Sequence, residues 1–220
     1  MEKILETKIV KGIIGGINLQ FIDLQTSGTP AFVFKEMIED NYGINQISIN
    51  ENDTIIDIGA NIGMFSIYVK KKFNCKVISF EPVTENFNNF KKNILLNNLS
   101  LDDFDLHNTA ITSVDGDRIK IGTSIKNTGS ASVFHKNPIN FEYCLTETLN
   151  KYITSDCKYL KIDCEGGEYD IIPSILNEIN TFNYLGIEYH KYNALQNPDE
   201  LNILINKHFK GKIFTTYASK

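Results

Sequence analysis

The sequence predicts an α/β protein whose parallel strands are covered by helices on both faces. Two observations carry this. From about residue 54 onward, short β-branched runs alternate with segments of helical periodicity, the rhythm of strand–helix–strand units. Several of those runs end on a carboxylate or a glycine turn, and open α/β sheets bind ligands at such strand tips. The composition agrees: 42% apolar and 22% charged residues are near the globular average and exclude disordered, collagenous and coiled-coil chains.

The first thirty residues read as short strands broken by Gly12, Gly15 and Gly16, a hairpin pattern. Ala31, Phe34, Met37 and Ile38 then recur at helical spacing after Pro30 and before Gly43. Residues 1–50 are thus expected to form a β-hairpin and helix appendage acting as a substrate lid, and residues 51–220 the main domain. In the main domain, strands are expected at Thr54–Ile58, Lys76–Phe80 and Phe104–Asn108, with helices at Ile62–Lys72 and Glu85–Asn98 between them. An irregular stretch of short β pieces covers about 111–147. Strand Tyr159–Asp163, helix Glu168–Asn180, strand Tyr184–Tyr189, a helix from Pro198 to about His208 and strand Gly211–Tyr217 complete the pattern.

Four strand tips hold candidate chemistry. After the apolar run Ile55-Ile56 come Asp57, Gly59, Asn61 and Gly63, then an amphipathic helix. The Gly-x-Gly-x-x-Gly of a dinucleotide loop is absent, and Asp57 would repel a diphosphate while suiting a cationic or hydroxyl-rich ligand. The same residues also describe a plain tight turn capped by Asn61. At the neighbouring tip, Glu81-Pro82 follows Val77–Phe80, where a carboxylate can accept both hydroxyls of an adenosine ribose. The third string, Lys161-Ile162-Asp163-Cys164-Glu165-Gly166-Gly167-Glu168, gathers three carboxylates and a lysine at a strand end. Glu168 has an ordinary reading there, facing the positive end of a helix dipole. At the fourth tip, strand alternation puts Glu188 and His190 on one face. A histidine beside carboxylates serves as a general base or a metal ligand.

These tips together resemble the FkbM family of S-adenosylmethionine-dependent methyltransferases. The matching text is Asp57–Gly63, Phe80-Glu81-Pro82, Asn97-Asn98, Asn108–Ile111, Gly129–Ser132, Lys161–Glu168 and Ile187–His190, in order across roughly residues 52–190. The resemblance implies a three-layer α/β/α sandwich with a mostly parallel, Rossmann-like methyltransferase sheet and the β-rich N-terminal appendage. It implies S-adenosyl-L-methionine as cofactor, with Asp57, Gly59, Asn61 and Gly63 holding the methionine portion. Glu81, with Pro82, would take the ribose, Thr109 and Ala110 would contact the adenine, and Asp163 would face the transferring methyl. Where the family usually has Thr-Leu-Asp, this chain has Thr148-Leu149-Asn150, so no charge is available there. The terminal antiparallel hairpin common in such folds is expected to be curtailed or rearranged, since little chain follows Tyr217.

The implied reaction is O-methylation of a hydroxyl on a small molecule or saccharide. An alcohol needs a base or a cation to lose its proton. The expected base is His190, oriented by Asp163, Glu165 and Glu188; the runner-up is that this set holds a divalent ion such as Mg²⁺. Tyr42 and Phe134 are the aromatic residues expected to line the acceptor's cleft. The competing readings are an RNA methyltransferase, a nicotinamide-dependent oxidoreductase and a non-catalytic binding module. A net charge of −5 and a single arginine, Arg118, argue against a nucleic-acid surface. A nicotinamide enzyme would not explain Asp57 or the 161–168 string.

Cys75, Cys144, Cys157 and Cys164 form no Cys-x-x-Cys pair and have no histidine at finger spacing, which excludes a standard zinc site. Reduced thiols, the lack of an export signal in the first thirty residues and the lack of an eighteen-residue apolar run point to a cytoplasmic protein without a membrane partner.

Overall fold

The structure is a computed structural model that describes residues 6–124 and 127–218. Parts of three sequence-based expectations fall outside the described residues: 1–5 of the hairpin appendage, 125–126 of the irregular stretch, and 219–220 at the end of the main domain. In chain order, a hairpin of β1 (Thr7–Ile14) and β2 (Ile17–Leu24) leads into α1 (Thr29–Ile38). There follow β3 (Thr54–Ile58), α2 (Met64–Phe73), β4 (Lys76–Phe80), α3 (Thr84–Leu96) and β5 (Phe104–His107). The irregular stretch supplies β6 (Ala110–Ile111), β7 (Arg118–Thr123) and β8 (Asn140–Glu147). The chain returns to β9 (Cys157–Ile162), α4 (Glu168–Ser174), β10 (Tyr184–Tyr189), α5 (Pro198–His208) and β11 (Lys212–Tyr217).

Six strands form the central sheet in the order β11-β10-β9-β3-β4-β5, and every neighbouring pair is parallel. Counted along the chain this is the doubly wound order, with its topological switch point between β3 and β9. The sheet thus closes on parallel β11, reached through α5, in the place of the antiparallel hairpin that was expected to be curtailed or rearranged. Strand alternation sorts the core into two layers. Ile55 and Tyr159 face the layer built with α1, α2, α3 and the hairpin, while Ile56, Ile58, Leu160 and Ile162 face the layer built with α4 and α5. Among the described residues no helix is long and apolar enough to cross a membrane.

Two helices differ from the sequence expectation for local reasons. α4 stops at Ser174, well short of Asn180, because Pro173 lies inside it and breaks the ladder; a 3₁₀ turn at Ile179–Thr181 follows. α2 begins at Met64 because Gly63 is its cap in the left-handed region, at φ 84°. A Cβ on Gly63 would also sit 1.9 Å from the Phe90 ring of α3.

The hairpin shares the main core. Ile14, Leu19 and Phe21 are buried with Phe34 of α1, Phe65 of α2 and Phe90 of α3. Its outer edge is satisfied by two asparagines four residues apart, Asn93 on α3 and Asn97 at its C-terminal cap. Asn97 accepts the Gln20 N–H at 3.1 Å and donates to the Gln20 carbonyl at 2.6 Å. Asn93 accepts the Ile22 N–H at 2.6 Å and donates to the carbonyls of Ile22, at 3.2 Å, and Ile62, at 2.9 Å. Residues two apart on a strand and four apart on a helix span similar lengths, so the pair acts as a short surrogate strand. The small sheet β6-β8-β7 packs its own cluster, including Ile121 and Cys144, against Val83 and Ala110 beyond the tip of β4.

Asn93→Ala strips partners from buried backbone groups of Ile22 and Ile62. We expect a loss of about 2–3 kcal/mol of stability, read by denaturant unfolding, whereas Asn98→Ala, one residue beyond Asn97, should cost well under half of that.

Candidate active site

The site is built on one row across the sheet. Pairing register sets Asp57 of β3 opposite Ser79 of β4 and Lys161 of β9. All three are buried, so an apolar interior has to hold a cation and a carboxylate. It does so by pairing them: Lys161 Nζ lies 3.1 Å from Asp57 Oδ1 and 3.3 Å from Asp163 Oδ2. It also reaches the Gly59 carbonyl at 3.4 Å and sits over the rings of Tyr42 and Phe65, 5.2 and 5.6 Å from their centroids. Burial disfavours the charge, but the two carboxylates outweigh it and hold the ammonium above the usual lysine range. Asp57 is completed by the Ser66 hydroxyl at 2.6 Å, which in turn contacts Ser79 at 2.8 Å.

At the switch point the two strand ends almost touch. The Asp163 N–H bonds to the Ile58 carbonyl at 3.1 Å, and a Cβ on Gly59 would lie 1.8 Å from the Asp163 carbonyl oxygen. With φ at 78° as well, glycine is required there on two counts. The next turn puts Glu165 at φ 53° and Gly166 at φ 104°, which swings the Glu165 side chain back toward β10.

Glu168 ties that turn to the tip of β10. Fully buried, it accepts the Gly166 N–H at 3.0 Å and the His190 N–H at 2.6 Å. Its Oε1 also lies 3.3 Å from His190 Nδ1. The other ring nitrogen, Nε2, is 3.6 Å from Glu165 and 3.9 Å from Asp163. Burial opposes protonation of the imidazole, yet Glu168, Glu165 and Asp163 together push its pKa up to about 10. The three acids thus favour the imidazolium, whereas the expected role as base calls for the free ring. Glu188 takes the opposite course: burial first, then the charges of Asp163 and Glu36, raise it to about 8. Tyr42 directs its hydroxyl to Asp163 at 2.9 Å and Glu188 at 3.3 Å.

Two cavities meet at Asp163 and Glu165. The smaller, about 260 Å³, lies over the tips of β3, β4 and β9 and is lined by Gly59, Asn61, Glu81, Pro82, Thr109 and Ala110. The larger, about 720 Å³, lies between α1 and the tip of β10, with Glu36, Glu188 and His190 on its wall. Asp57 and Gly63, expected at the cofactor, line neither; Asp57 works behind the loop through Lys161. Glu81 lines the smaller cavity while its carboxylate accepts the N–H groups of Asn61, at 2.8 Å, and Val83, at 2.9 Å, and burial lifts it to about 7. Thr109 Oγ1 and Asn61 Oδ1 are buried with no hydrogen-bond partner among the described residues and belong to residues on the same wall, so the smaller cavity has polar atoms left for a ligand.

Phe134 stacks on Tyr192 at 5.7 Å between ring centroids, and the Tyr192 hydroxyl bonds to Glu165. Sequence reasoning missed Glu36 and Tyr192 and underrated Glu168. Tyr192 had a signal, since it continues the alternation from Glu188 and His190. Glu36 had none, because it sits on a helix whose apolar spacing leaves position 36 looking like surface.

Asp163, Glu188 and His190 each offer a ligand atom within 4.8 Å of the others. An ion there would compete with Lys161 and Tyr42 for Asp163 and would have to displace the proton that the neighbouring acids favour on His190.

The Methyltransferase FkbM domain model matches residues 57–209. Two curated proteins align over shorter stretches. "Methyltransferase sdnD" of Sordaria araneosa is 38% identical over 68 residues, 30% of this chain and 26% of that protein. "Methyltransferase 1" of Beauveria bassiana is 35% identical over 71 residues, 31% of this chain and 28% of that protein. The aligned stretch thus spans about a quarter of the length of each relative. Among solved structures, a T. Thermophilus 16S rRNA N2 methyltransferase in complex with AdoMet and guanosine overlaps 44% of this chain and 27% of its own, at 16% identity and a TM-score of 0.34. The family match runs from the Asp57 tip of β3 past the end of α5 and takes in all four strand tips, so the chain belongs to the FkbM methyltransferase domain family.

Proposed function

We propose that this domain transfers a methyl group from S-adenosyl-L-methionine to a hydroxyl of a small molecule or saccharide. The observation that carries the reading is the pair of cavities joined at Asp163 and Glu165, one largely apolar with a few polar atoms and sized for part of a cofactor, the other open to an acceptor. In this reading Glu81 takes the ribose hydroxyls through its remaining lone pairs, Thr109 and Ala110 meet the adenine, and Gly59 and Asn61 meet the methionine portion. The bound cofactor supplies an electrophilic methyl on a sulfonium. Residues 1–50 act as the acceptor's lid, since α1 forms a wall of the larger cavity through Phe32, Val33 and Glu36. Four unpaired cysteines accord with a cytoplasmic setting.

The chain's own residues then divide the work. Lys161 keeps Asp163 ionised: burial alone would raise the Asp163 pKa, but Lys161 and His190 lower it. A fixed negative charge is thereby held where the two cavities meet. Glu188, at about 8, is the base, because a catalytic pKa near the working pH balances basicity against occupancy. Glu165 and His190 orient the acceptor's side of the site, with the imidazolium offsetting charge as the hydroxyl proton leaves.

The first experiment is calorimetric titration with S-adenosylhomocysteine, with NAD as control. Binding of the first alone is expected; NAD binding in its place would overturn the reading. Glu81→Ala should weaken S-adenosylhomocysteine roughly tenfold or more through lost hydrogen bonds to the ribose.

Glu188 must be ionised to accept a proton, so turnover of an acceptor should climb with pH through the region near 8. His190 stays protonated until about 10. Glu188→Gln should lower kcat by about 10²–10⁴ and flatten the rising limb, while a protein that merely binds the cofactor would tolerate the change.

A further inference from the structure

The buried charges of the site do not balance. Lys161 lies beside Asp57 and Asp163, and His190 beside Glu165 and Glu168, so two cations already face four carboxylates. Glu36 and Glu188 add two more acids. Glu188 has the Tyr42 hydroxyl. Glu36 has nothing: it is 7% exposed, lines the larger cavity, and receives no hydrogen bond or ion pair from the described residues. Its carboxylate oxygens face the cavity and are not among the sealed, unpartnered polar atoms of the described residues, so they are placed to take a cation that enters there. Lys136 and Lys191 are exposed on the cavity's rim and make no ion pair with it.

Building on the methyl-transfer reading, we infer that the acceptor carries an ammonium group and that the Glu36 carboxylate binds it, as in an amino sugar or an amino alcohol. The ammonium is the anchor and not the methylated atom, since a protonated amine has no lone pair. It enters along α1 and lies among Glu36, Glu188 and Asp163, with the Phe32 and Tyr192 rings on the same cavity's wall available for cation–π contact. A hydroxyl of the same molecule then faces the junction at Asp163. An ammonium suits this place better than a divalent ion does, because Glu36 lies outside the set of donor atoms close enough to share one. A neutral hydroxyl would leave the excess charge uncompensated.

The test pairs ligands that differ by one group: glucosamine against glucose, and tyramine against tyrosol. Each is titrated into the full chain with and without saturating S-adenosylhomocysteine. The ammonium member of at least one pair should bind about tenfold or more tightly than its neutral partner, and Glu36→Gln should abolish that preference while leaving S-adenosylhomocysteine affinity unchanged. The wild-type chain provides a second readout without substitution. Glu36 is raised to about 7 by burial and by Asp163 and Glu39, against the opposing charges of Lys161 and His190, so the preference should fade as pH falls below that value. Equal binding within both pairs, a preference that survives Glu36→Gln, a preference that needs added Mg²⁺, or no binding by either ammonium would each overturn the inference. Loss of S-adenosylhomocysteine binding alone would instead sink the methyl-transfer reading and leave the cation site standing.

Discussion

The site depends on one buried ammonium. Lys161 lies in the sheet's interior with 4% of its side chain exposed, where a lone charge would be intolerable. Its two carboxylate partners come from different places, Asp57 from the neighbouring strand and Asp163 from just beyond its own. Removing one partner of such a pair typically costs about 3–5 kcal/mol, because the survivor stays buried and uncompensated. The triad therefore does two things together. It reinforces the parallel pairing of β3 with β9 at the switch point, and it sets the charge of the residue that stands between the two cavities.

Around that centre the rest of the chain supplies walls. The strand tips give the floor, and the walls come from segments outside the sheet. Thr128, in the irregular stretch, bonds to Asp23 at the end of the hairpin, at 3.0 Å, and contacts Thr29 at the start of α1, at 3.1 Å. Its carbonyl takes the side-chain amides of Asn61, at 2.9 Å, and Asn86, at 3.0 Å. One residue of an insertion thus links the appendage, the glycine loop and α3. Such side chain–backbone networks order a loop without a large apolar core of its own.

How much of this was legible differs between fold and site. The strands and helices of the main domain were readable because β-branched runs and glycine turns are local signals. The exceptions were also local: Pro173 cut a helix that periodicity alone extended, and Gly63 delayed the start of another. Which residues share the strand tips was readable too, since parallel sheets put their ligands there. What each does was not. Asp57 read as a ligand contact, and its ion pair with Lys161 left no trace in the spacing. His190 read as a base, and three acids, all from the 161–168 string, raise its pKa and favour the protonated ring. Those outcomes depend on burial and on distances across the sheet, and spacing along the chain carries neither. Glu36 was invisible for the same reason, as its helix is ordinary and only the fold brings it to the cavity.

The strand order has a consequence for how the chain reaches its native state. β3 can pair with β4 as soon as the short α2 connection closes, yet its other neighbour, β9, lies about a hundred residues later in the chain. Until β9 docks, Asp57 has its serine contact but no cation, and half of a sheet meant to be buried on both edges of β3 stands open. The first half is thus a poor stopping point. Closing a loop that long is entropically slow, and the electrostatic gain arrives only at the end, which makes the two halves fold as one cooperative unit.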